Sequence, residues 1–435
     1  MELPEEIIKE FNNLPETHKI YYDDAYIRSF ESEVIGIKRV EPYTYVVLKG
    51  TAFYPEGGGQ EGDRGFIKSS SAKLEVIDTQ MIDERVIVHI CKELEGKLLE
   101  GDRIRGEIDW NLRYSRMRHH TGSHVVFASL REVLGVKLIY MGVYVGDKWG
   151  RIDINYDEPI TDEQILEIEN LANRIILENR PVKIFFMDRQ EAEKTYGDKL
   201  GVTEVTPTGI VRVVEIEDFD VALCSGTHVR STIEVGLIKI LERFKLAKGI
   251  QRIKFAAGLS AYEKIHDLIA KLHYLARLLN SSLVDVDMKV SSLLRKKKEL
   301  ENRISKLKKR FSKYEAKELL EKAIRVDDLM IITSEIMDAE PSYIQLLLRN
   351  ILSSHPNAIV VLGTKTDKAY IFGGAGENAI NRGIKINELV GELKSILEGK
   401  GGGSPRRIQV VGVRKDKLQE ALRFVEKRIR ESLSS

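Results

Sequence analysis

Two short motifs, about a hundred residues apart, constrain this chain more than any other feature. The first is His120-Thr-Gly-Ser-His124 and the second is Cys224-Ser-Gly-Thr-His228. In a helix, a spacing of four residues places both side chains on one face. Imidazole and thiolate are the ligands that zinc prefers, and four of them complete a tetrahedron. The sequence therefore predicts one Zn²⁺ per chain, held by His120, His124, Cys224 and His228.

The first pair is expected to lie on a long helix. Asp109 and Asn111 are both candidate N-caps, and Gly135 is a natural stop after the segment 112–134. Zinc-protease helices carry a glutamate directly after the first histidine, where it acts as the general base. Thr121 occupies that position here, so the pattern argues against a protease.

Composition narrows the class of protein. A length of 435 residues predicts about two to four domains. The sequence has no uninterrupted apolar run of about eighteen residues, so we expect no membrane span. The acidic start, Met-Glu-Leu-Pro-Glu-Glu, lacks the apolar core of a secretory signal, and two cysteines make no disulfide framework. These features favour the reducing cytoplasm.

Hydrophobic patterning predicts an α+β protein of four parts. Short segments rich in β-branched and aromatic residues predict a small β-barrel, and mixed strands and helices surround the predicted zinc ligands. Apolar residues spaced three and four positions apart predict a helical hairpin. Alternating strands and helices predict a final α/β domain. The predicted boundaries are 1–109, 110–257, 258–325 and 326–435. The predicted strands are 33–40, 43–49, 73–77, 85–90, 103–109, 138–146, 150–155, 182–186, 209–217, 233–241, 250–256, 329–334, 358–363, 369–373 and 407–412.

Basic residues concentrate in two places although the net charge is only +1. Residues 295–313 contain ten Lys or Arg against two Glu, and three arginines precede the first histidine pair. A surface that follows a phosphate backbone requires such local concentration, whereas a solvated helix face is an equally weighted alternative for 295–313. The candidate nucleic-acid contacts are Arg113, Arg116, Arg118, Lys306, Lys309 and Arg310.

A glycine-rich loop lies in the predicted barrel, in the segment Phe53-Tyr-Pro-Glu-Gly-Gly-Gly-Gln60. Three successive glycines permit positive φ and a close approach of the backbone to a ligand. The amide of Gln60 adds two donors and one acceptor at the end of the loop. By itself, the same segment also fits a tight turn of a barrel.

The glycine loop, the histidine pair and the Cys-His pair, in this order, resemble the editing region of alanyl-tRNA synthetase. They also resemble the free-standing editing proteins called AlaX, over about residues 20–257. The remainder is similar to the C-terminal part of the family, a helical hairpin and a DHH-associated globular domain. Gly373-Gly-Ala-Gly and Gly401-Gly-Gly-Ser-Pro match its glycine-rich loops, but Arg406-Arg-Ile-Gln replaces the Asp-Met-Ala-Gln run that usually follows.

The resemblance implies a zinc-dependent deacylase of the long AlaX form. Such an enzyme hydrolyses, in trans, the ester of tRNA(Ala) mischarged with serine, with glycine as a second candidate. The resemblance further implies that Gln60 and Thr51 act in catalysis and that substrate is bound by Thr51, Gly57, Gly58, Gly59 and Gln60. Thr51 matches the threonine proposed to recognise the serine hydroxyl, but a β-branched strand residue is the simpler interpretation.

Several alternatives stay open at the level of sequence. Four protein ligands close a structural zinc site, so either one ligand is loose or the zinc mainly shapes the pocket. His119 is a candidate proton shuttle, although a solvent-facing side chain is the favoured interpretation. A non-catalytic tRNA-binding or dimerisation module with a structural zinc is the main rival, and a metallohydrolase for another ester is a second. We also expect a homodimer formed through the C-terminal region.

Overall fold

A computed structural model of the chain describes residues 1–201 and 209–434. They form two compact units, Met1–Leu275 and Ala276–Ser435. Both contain helices and strands, which agrees with the predicted α+β class. Within the described ranges, every helix is too short or too polar to cross a membrane.

The first unit is rich in strands. Its helices are α1 (Glu5–Phe11), α2 (Ile20–Asp23), α3 (Trp110–Leu134), α4 (Asp162–Leu177), α5 (Arg189–Tyr196) and α6 (Leu259–Leu278). Its strands are β1 (His18–Lys19), β2 (Ser29–Val40), β3 (Tyr43–Leu48), β4 (Gly50–Thr51), β5 (Gly65–Lys68), β6 (Ala72–Ile82), β7 (Val86–Gly96), β8 (Arg103–Ile108), β9 (Tyr140–Val145), β10 (Gly150–Asn155), β11 (Val182–Asp188), β12 (Leu200–Gly201), β13 (Ile210–Ile216), β14 (Asp220–Leu223), β15 (Ile238–Ala247) and β16 (Ile250–Ala257).

Six strands close the barrel in the order β2-β3-β7-β6-β5-β8. Strand β3 contributes to two cores, because successive side chains point to opposite faces. Val46 and Leu48 belong to one buried cluster, whereas Tyr45 and Val47 belong to a second one that includes residues of α1. Strand β5 is absent from the predicted strands, yet it pairs with both β6 and β8 and completes the barrel.

Helix α3 lies in the largest core of the first unit. Its residues Val125, Phe127 and Leu130 are buried in one cluster with Ile152 of β10 and Phe255 of β16. The surrounding strands form two four-stranded sheets, ordered β15-β16-β10-β9 and β11-β13-β14-β12. These sheets therefore hold α3 and the segment after β14 in fixed positions.

The second unit contains one six-stranded sheet, ordered β17-β18-β19-β20-β22-β21, with buried clusters that draw on its helices. Its helices are α7 (Val286–Glu321), α8 (Pro341–Ser354), α9 (Glu377–Asn381), α10 (Val390–Ile396) and α11 (Leu418–Ser434). Its strands are β17 (Ile324–Val326), β18 (Leu329–Glu335), β19 (Ala358–Lys365), β20 (Ala369–Ala375), β21 (Gly399–Ser404) and β22 (Arg407–Gly412).

Helices α6 and α7 occupy the two segments predicted for the helical hairpin. The regularly spaced apolar side chains of α7 are exposed to solvent, among them Leu300 at 58% and Phe311 at 62%. Apolar side chains of α6 are exposed as well. The apolar periodicity of these helices therefore marks accessible stripes rather than a buried seam.

Candidate metal centre

Helix α3 begins and ends where the sequence predicts. The side chain of Asp109 caps it by accepting a hydrogen bond from Leu112 N–H, and Gly135 ends it in the left-handed conformation with φ +65°. His120 and His124 lie one turn apart, with ring centroids separated by 5.9 Å. The helix thus presents both imidazoles to the same side.

The loop that follows β14 brings Cys224 and His228 to that pair. One ligand atom from each of the four residues lies within 4.8 Å of all the others. The Cys224 Sγ is 3.1 Å from His120 Nε2 and 3.3 Å from His228 Nε2. Zinc bonds of about 2.0–2.3 Å place neighbouring ligand atoms of a tetrahedron roughly 3.3–3.6 Å apart. The donor set and its spacing therefore fit one zinc ion.

Each histidine is oriented by a hydrogen bond at Nδ1. His120 Nδ1 donates to Gln60 Oε1 at 2.8 Å. His124 Nδ1 donates to Asp220 Oδ2 at 3.0 Å, and His228 Nδ1 is hydrogen-bonded to Thr121 Oγ1 at 3.1 Å. In each ring the hydrogen bond engages Nδ1 and leaves Nε2 as the nitrogen available to a metal.

The surroundings of Cys224 favour its thiolate form. Burial raises the pKa of the Cys224 thiol, but the adjacent His120 and His228 lower it by more than burial raises it. The net pKa of Cys224 therefore lies well below its usual value. Burial lowers the pKa of His124, but hydrogen bonds to Asp220 and Cys224 raise it to about 10. A metal would replace that proton and keep the thiolate.

Glycine is required at one point of the Cys-His motif. A Cβ atom at Gly226 would lie 2.0 Å from His120 Cε1. This loop can pass the imidazole only without a side chain at that position. The glycine of Cys224-Ser-Gly-Thr-His228 is therefore part of the geometry of the cluster.

A cavity of about 640 Å³ opens against the cluster. Three of the four predicted ligands contribute to its wall, together with Gly58 and Gly59 of the glycine loop. The other described residues that line it are Tyr22, Glu84, Ser123, Tyr140, Met141, Gly142, Val143, Phe186, Ile210, Val211, Arg212, Ala222, Leu223 and Ser225. Cavities of this size hold small organic ligands.

Comparisons with known protein families agree with this arrangement. Residues 4–112 match the tRNA synthetases class II (A), and residues 211–254 match the threonyl and alanyl tRNA synthetase second additional domain. Residues 329–431 match the DHHA1 domain. The second match contains two of the four ligands.

Similar curated proteins are archaeal alanine–tRNA ligases. The Pyrococcus abyssi ligase is 36% identical over 427 residues, which cover 97% of this chain and 44% of the ligase. The Methanopyrus kandleri ligase is 35% identical over 409 residues, with 94% and 44% covered. A Saccharolobus islandicus ligase is 39% identical over 306 residues, with 70% and 33% covered. The chain belongs to the alanyl-tRNA synthetase-like family.

This membership confirms the resemblance to AlaX and to the editing and C-terminal regions of the synthetase. The chain spans less than half the length of these ligases. Among solved structures, the C-Ala domain of Aquifex aeolicus alanyl-tRNA synthetase is similar at 22% identity and a TM-score of 0.23, with 26% of this chain and 98% of that chain covered.

Gln60 has a different position from the one expected of a catalytic group. Its side chain is fully buried, its Oε1 also accepts from Thr227 N–H at 3.1 Å, and its Nε2 donates to Thr227 Oγ1 at 2.9 Å. Gln60 is not among the described residues that line the cavity. In this alanyl-tRNA synthetase-like chain, the Gln60 side chain therefore holds the imidazole of His120, one of the predicted metal ligands.

The three predicted loop glycines divide into two groups. Gly58 and Gly59 have φ +57° and +81° and line the cavity, and a Cβ at Gly59 would lie 2.5 Å from Val143 O. Gly57 instead closes the turn, because it exchanges two backbone hydrogen bonds of 3.0 Å with Gln60. Only the first two therefore offer their backbone to a ligand.

The structure places Thr51 in the barrel, and its predicted substrate contact stays a prediction. Its buried hydroxyl donates to His89 Nε2 at 2.9 Å, because the other ring nitrogen of His89 donates to Val46 O. The same hydroxyl oxygen accepts from Phe53 N–H at 3.1 Å. Thr51 does not belong to the described cavity wall, and burial lowers the pKa of His89 to about 4, so this pair is a neutral part of the barrel.

Two of the predicted tRNA contacts on α3 are buried in the structure. Arg113 has no exposed side-chain surface and binds Asp63, Ala25 O and Ala52 O. Arg116 is 1% exposed and binds Glu61 at 2.6 Å and Gly62 O at 2.8 Å. Both guanidinium groups therefore tie α3 to the segment that follows the glycine loop, where no phosphate reaches them. Arg118 is partly exposed and stays a candidate.

The favoured solvent-facing position of His119 is wrong. His119 is fully buried, its Nδ1 donates to Ser115 O at 2.9 Å, and its Nε2 accepts from Ala257 N–H at 3.1 Å. Burial lowers its pKa to about 4. Both nitrogens are occupied outside the cavity wall, so His119 is a neutral link between α3 and β16.

Sequence reasoning missed the residues that orient the ligands. Thr121 and Thr227 lie inside the two motifs, so their places beside the ligands were a usable signal. Asp220 had no such signal, because it is one of several carboxylates before Cys224. Only the pairing of β13 with β14 brings Asp220 to His124.

Proposed function

We propose that this chain is a zinc-dependent aminoacyl-tRNA deacylase that acts in trans. Its substrate is tRNA(Ala) mischarged with serine, with glycine as the second candidate amino acid. The observation that carries the proposal is the convergence of His120, His124, Cys224 and His228 at the wall of a ligand-sized cavity. Membership of the alanyl-tRNA synthetase-like family supports an alanyl-tRNA substrate.

The residues present fit a zinc ion, because the donor set is three imidazoles and one thiolate with Nε2 free on each ring. His120, His124, Cys224 and His228 would hold it, and it would supply Lewis acidity beside the substrate ester. Cys224 is partly exposed, whereas the three histidines are buried. Cys224 is therefore the ligand nearest to the open side of the cluster.

The glycine loop supplies hydrogen-bond donors to the same cavity. Among the described residues, none accepts a hydrogen bond from Gly58 N–H or Gly59 N–H. Backbone N–H groups aimed at an ester carbonyl stabilise the negative charge that develops there during hydrolysis. We assign these two amides to the carbonyl oxygen of the substrate ester.

Ser225 replaces Thr51 as our candidate for recognising the serine hydroxyl. Ser225 lines the cavity beside Cys224, and its Oγ lies 3.0 Å from the Cβ position of Gly58. A hydroxyl at this point reaches the amino acid of an ester held by the loop. A site that hydrogen-bonds a substrate hydroxyl disfavours an analogue that lacks it.

The second unit is proposed to bind tRNA and to mediate self-association. Lys306, Lys309 and Arg310 are exposed on α7, and in the described parts of the chain none of them forms an ion pair. Free cations along one helix are suited to phosphate contacts.

The exposed apolar side chains of the same helix, such as Phe311, are suited to the interface of a homodimer. Sedimentation of the full chain with and without the Phe311→Lys substitution would test this proposal.

The deciding experiment measures ester loss from Ser-tRNA(Ala), Gly-tRNA(Ala) and Ala-tRNA(Ala) with the zinc-loaded full chain. We expect rapid loss of serine and little loss of alanine. Binding of all three tRNAs without loss of ester would favour the rival, a non-catalytic module with a structural zinc. Equal hydrolysis of unrelated small esters would favour a general metallohydrolase.

A further inference from the structure

The cavity extends beyond the metal ligands to a rim of different chemistry. Metal ligands and glycines form one part of its wall, whereas Tyr22, Phe186 and Arg212 form another. Its volume of about 640 Å³ is within the range of sites for drug-sized ligands. An aminoacyl group alone is much smaller, so the rim has room for a further part of the substrate.

Arg212 is a buried cation without a carboxylate partner among the residues 1–201 and 209–434. Its side chain is 8% exposed, and its Nη1 donates to Cys224 O at 2.7 Å. Its Nε is buried and has no hydrogen-bond partner among the residues that the structure describes. Glu84 also lines the cavity but makes no ion pair with Arg212. An unpaired buried charge is costly, so an anionic ligand would stabilise this arrangement.

An aromatic pair adjoins this cation. The rings of Tyr22 and Phe186 are 5.9 Å apart at an interplanar angle of 70°, and the Arg212 guanidinium lies 5.0 Å from the Tyr22 ring centroid. Phe186 is 55% exposed, which is unusual for so apolar a side chain at a cavity. An exposed aromatic ring such as Phe186, beside an arginine, is a common platform for an unpaired nucleobase.

We propose that this rim is a subsite for the 3′-terminal nucleotide of the tRNA, with the base stacked on Phe186 and the 5′-phosphate bound by Arg212. The inference rests on the proposed function and extends it, because it names the part of the substrate that is held outside the metal cluster. A subsite that grips this nucleotide places the aminoacyl ester, which is attached to its ribose, against Gly58 and Gly59.

Direct binding tests the subsite without any need for hydrolysis. Titration of the zinc-loaded full chain with 5′-AMP and with adenosine, followed by NMR and calorimetry, should show tighter binding of 5′-AMP. Arg212→Gln should weaken 5′-AMP by about tenfold or more and leave adenosine within about twofold, because a hydrogen bond to a charged group is lost. Phe186→Leu should weaken both ligands, by roughly fivefold or more.

Matched variants away from the cavity separate this effect from general damage. Arg243→Gln removes an arginine that pairs with Asp162, and Phe244→Leu removes a phenylalanine that is 44% exposed. Neither should change the affinity for 5′-AMP. Since Arg212 is buried, its variant is compared only after its circular dichroism and zinc content match those of the wild type, and the exposed Phe186 variant provides an independent arm.

The outcomes distinguish the subsite from the proposed reaction. Equal affinity of the wild type for 5′-AMP and adenosine, or unchanged 5′-AMP affinity in both rim variants, would overturn the subsite even if Ser-tRNA(Ala) is hydrolysed. Tight, Arg212-dependent 5′-AMP binding without ester hydrolysis would support the subsite and reject the deacylase. An effect of Arg212→Gln on free serine but not on 5′-AMP would assign the cation to the released carboxylate and also overturn the proposal.

Discussion

Two clusters of basic residues look alike in the sequence and differ completely in the structure. On α3 of the first unit, Arg113 and Arg116 are buried against Asp63 and Glu61. On α7 of the second unit, Lys309 and Arg310 are exposed. A high density of basic residues in the sequence therefore does not reveal whether their side chains are buried or which residues they pair with. Both depend on the segments that pack against the helix.

The two glycine-rich segments repeat this contrast. Gly58 and Gly59 adopt positive φ and lie against β9, next to the metal ligands. The segment Gly399–Ser404 is instead an extended edge strand, β21, which pairs in register with β22. A Cβ at Gly403 would lie 2.1 Å from Arg407 O, so glycine there permits close strand pairing.

The largest expected effect follows from removing a ligand in the first unit. Cys224→Ala should reduce zinc from one ion per chain to nearly none and lower deacylation by at least about a hundredfold. Elemental analysis and the Ser-tRNA(Ala) assay measure both quantities. Cys91→Ala is the matched control, because Cys91 is buried in the barrel and away from the cluster. Full zinc occupancy in the Cys224 variant would remove Cys224 from the site.

A buried arginine should matter for stability, unlike an exposed one. Arg113→Met leaves the Asp63 carboxylate buried without its cation and should lower the free energy of unfolding by about 3–5 kcal/mol. Arg310→Met on α7 should change it by less than about 0.5 kcal/mol. Urea titration follows the first unit by zinc release and the whole chain, including α7, by circular dichroism. Similar losses in both variants would break the contrast between the two basic clusters.

Metal affinity should depend on the partners of the histidines. Asp220→Asn removes the carboxylate that accepts from His124 Nδ1 and should weaken zinc binding by about tenfold to a hundredfold. Asp218→Asn is the control, because Asp218 is exposed two residues earlier. Competition with a chromogenic chelator measures the affinity. An equal, small effect of the two substitutions would show that His124 is oriented by the fold alone.

Thr51 and Ser225 should separate stability from specificity. Thr51→Val leaves His89 Nε2 and Phe53 N–H unpaired in the barrel and should cost about 1–3 kcal/mol of stability. It should leave unchanged the ratio of the hydrolysis rate of Ser-tRNA(Ala) to that of Ala-tRNA(Ala). Ser225→Ala should lower this ratio several-fold with little loss of stability. The opposite result would return substrate recognition to Thr51.

The smallest single effects are expected on α7. Each of Lys306→Gln, Lys309→Gln and Arg310→Gln should weaken tRNA binding a few-fold and lower the salt slope of log affinity by about one. Lys308→Gln should have less effect, because Lys308 is already paired with Glu340 at 2.5 Å. Filter binding over a range of salt concentrations measures both quantities. A triple variant that binds as the wild type does would identify the run as a solvated face.

The sequence by itself was sufficient to identify the four residues that the structure brings together and much of the fold. Ligand chemistry resides in residue type, and the spacing of His120 and His124 together with the caps Asp109 and Gly135 specifies how α3 presents them. Long periodic segments were equally readable, since α6 and α7 occupy the two segments predicted for the helical hairpin. Some short strands could not be predicted from the sequence. β5 and β14 contain few residues and β21 is mostly glycine, so these segments are recognised as strands only through their pairing with neighbouring strands.

Only the tertiary structure decided which polar residues serve the site. Gln60 reaches His120 across 60 positions and Asp220 reaches His124 across 96, so no local pattern encodes either contact. Burial likewise made Arg113 a structural cation and left Arg212, beside the cavity, without an ion pair in the described part of the chain. Ligand identity is a property of single residues, whereas solvation, tautomer and charge compensation depend on the atoms that distant segments bring into contact.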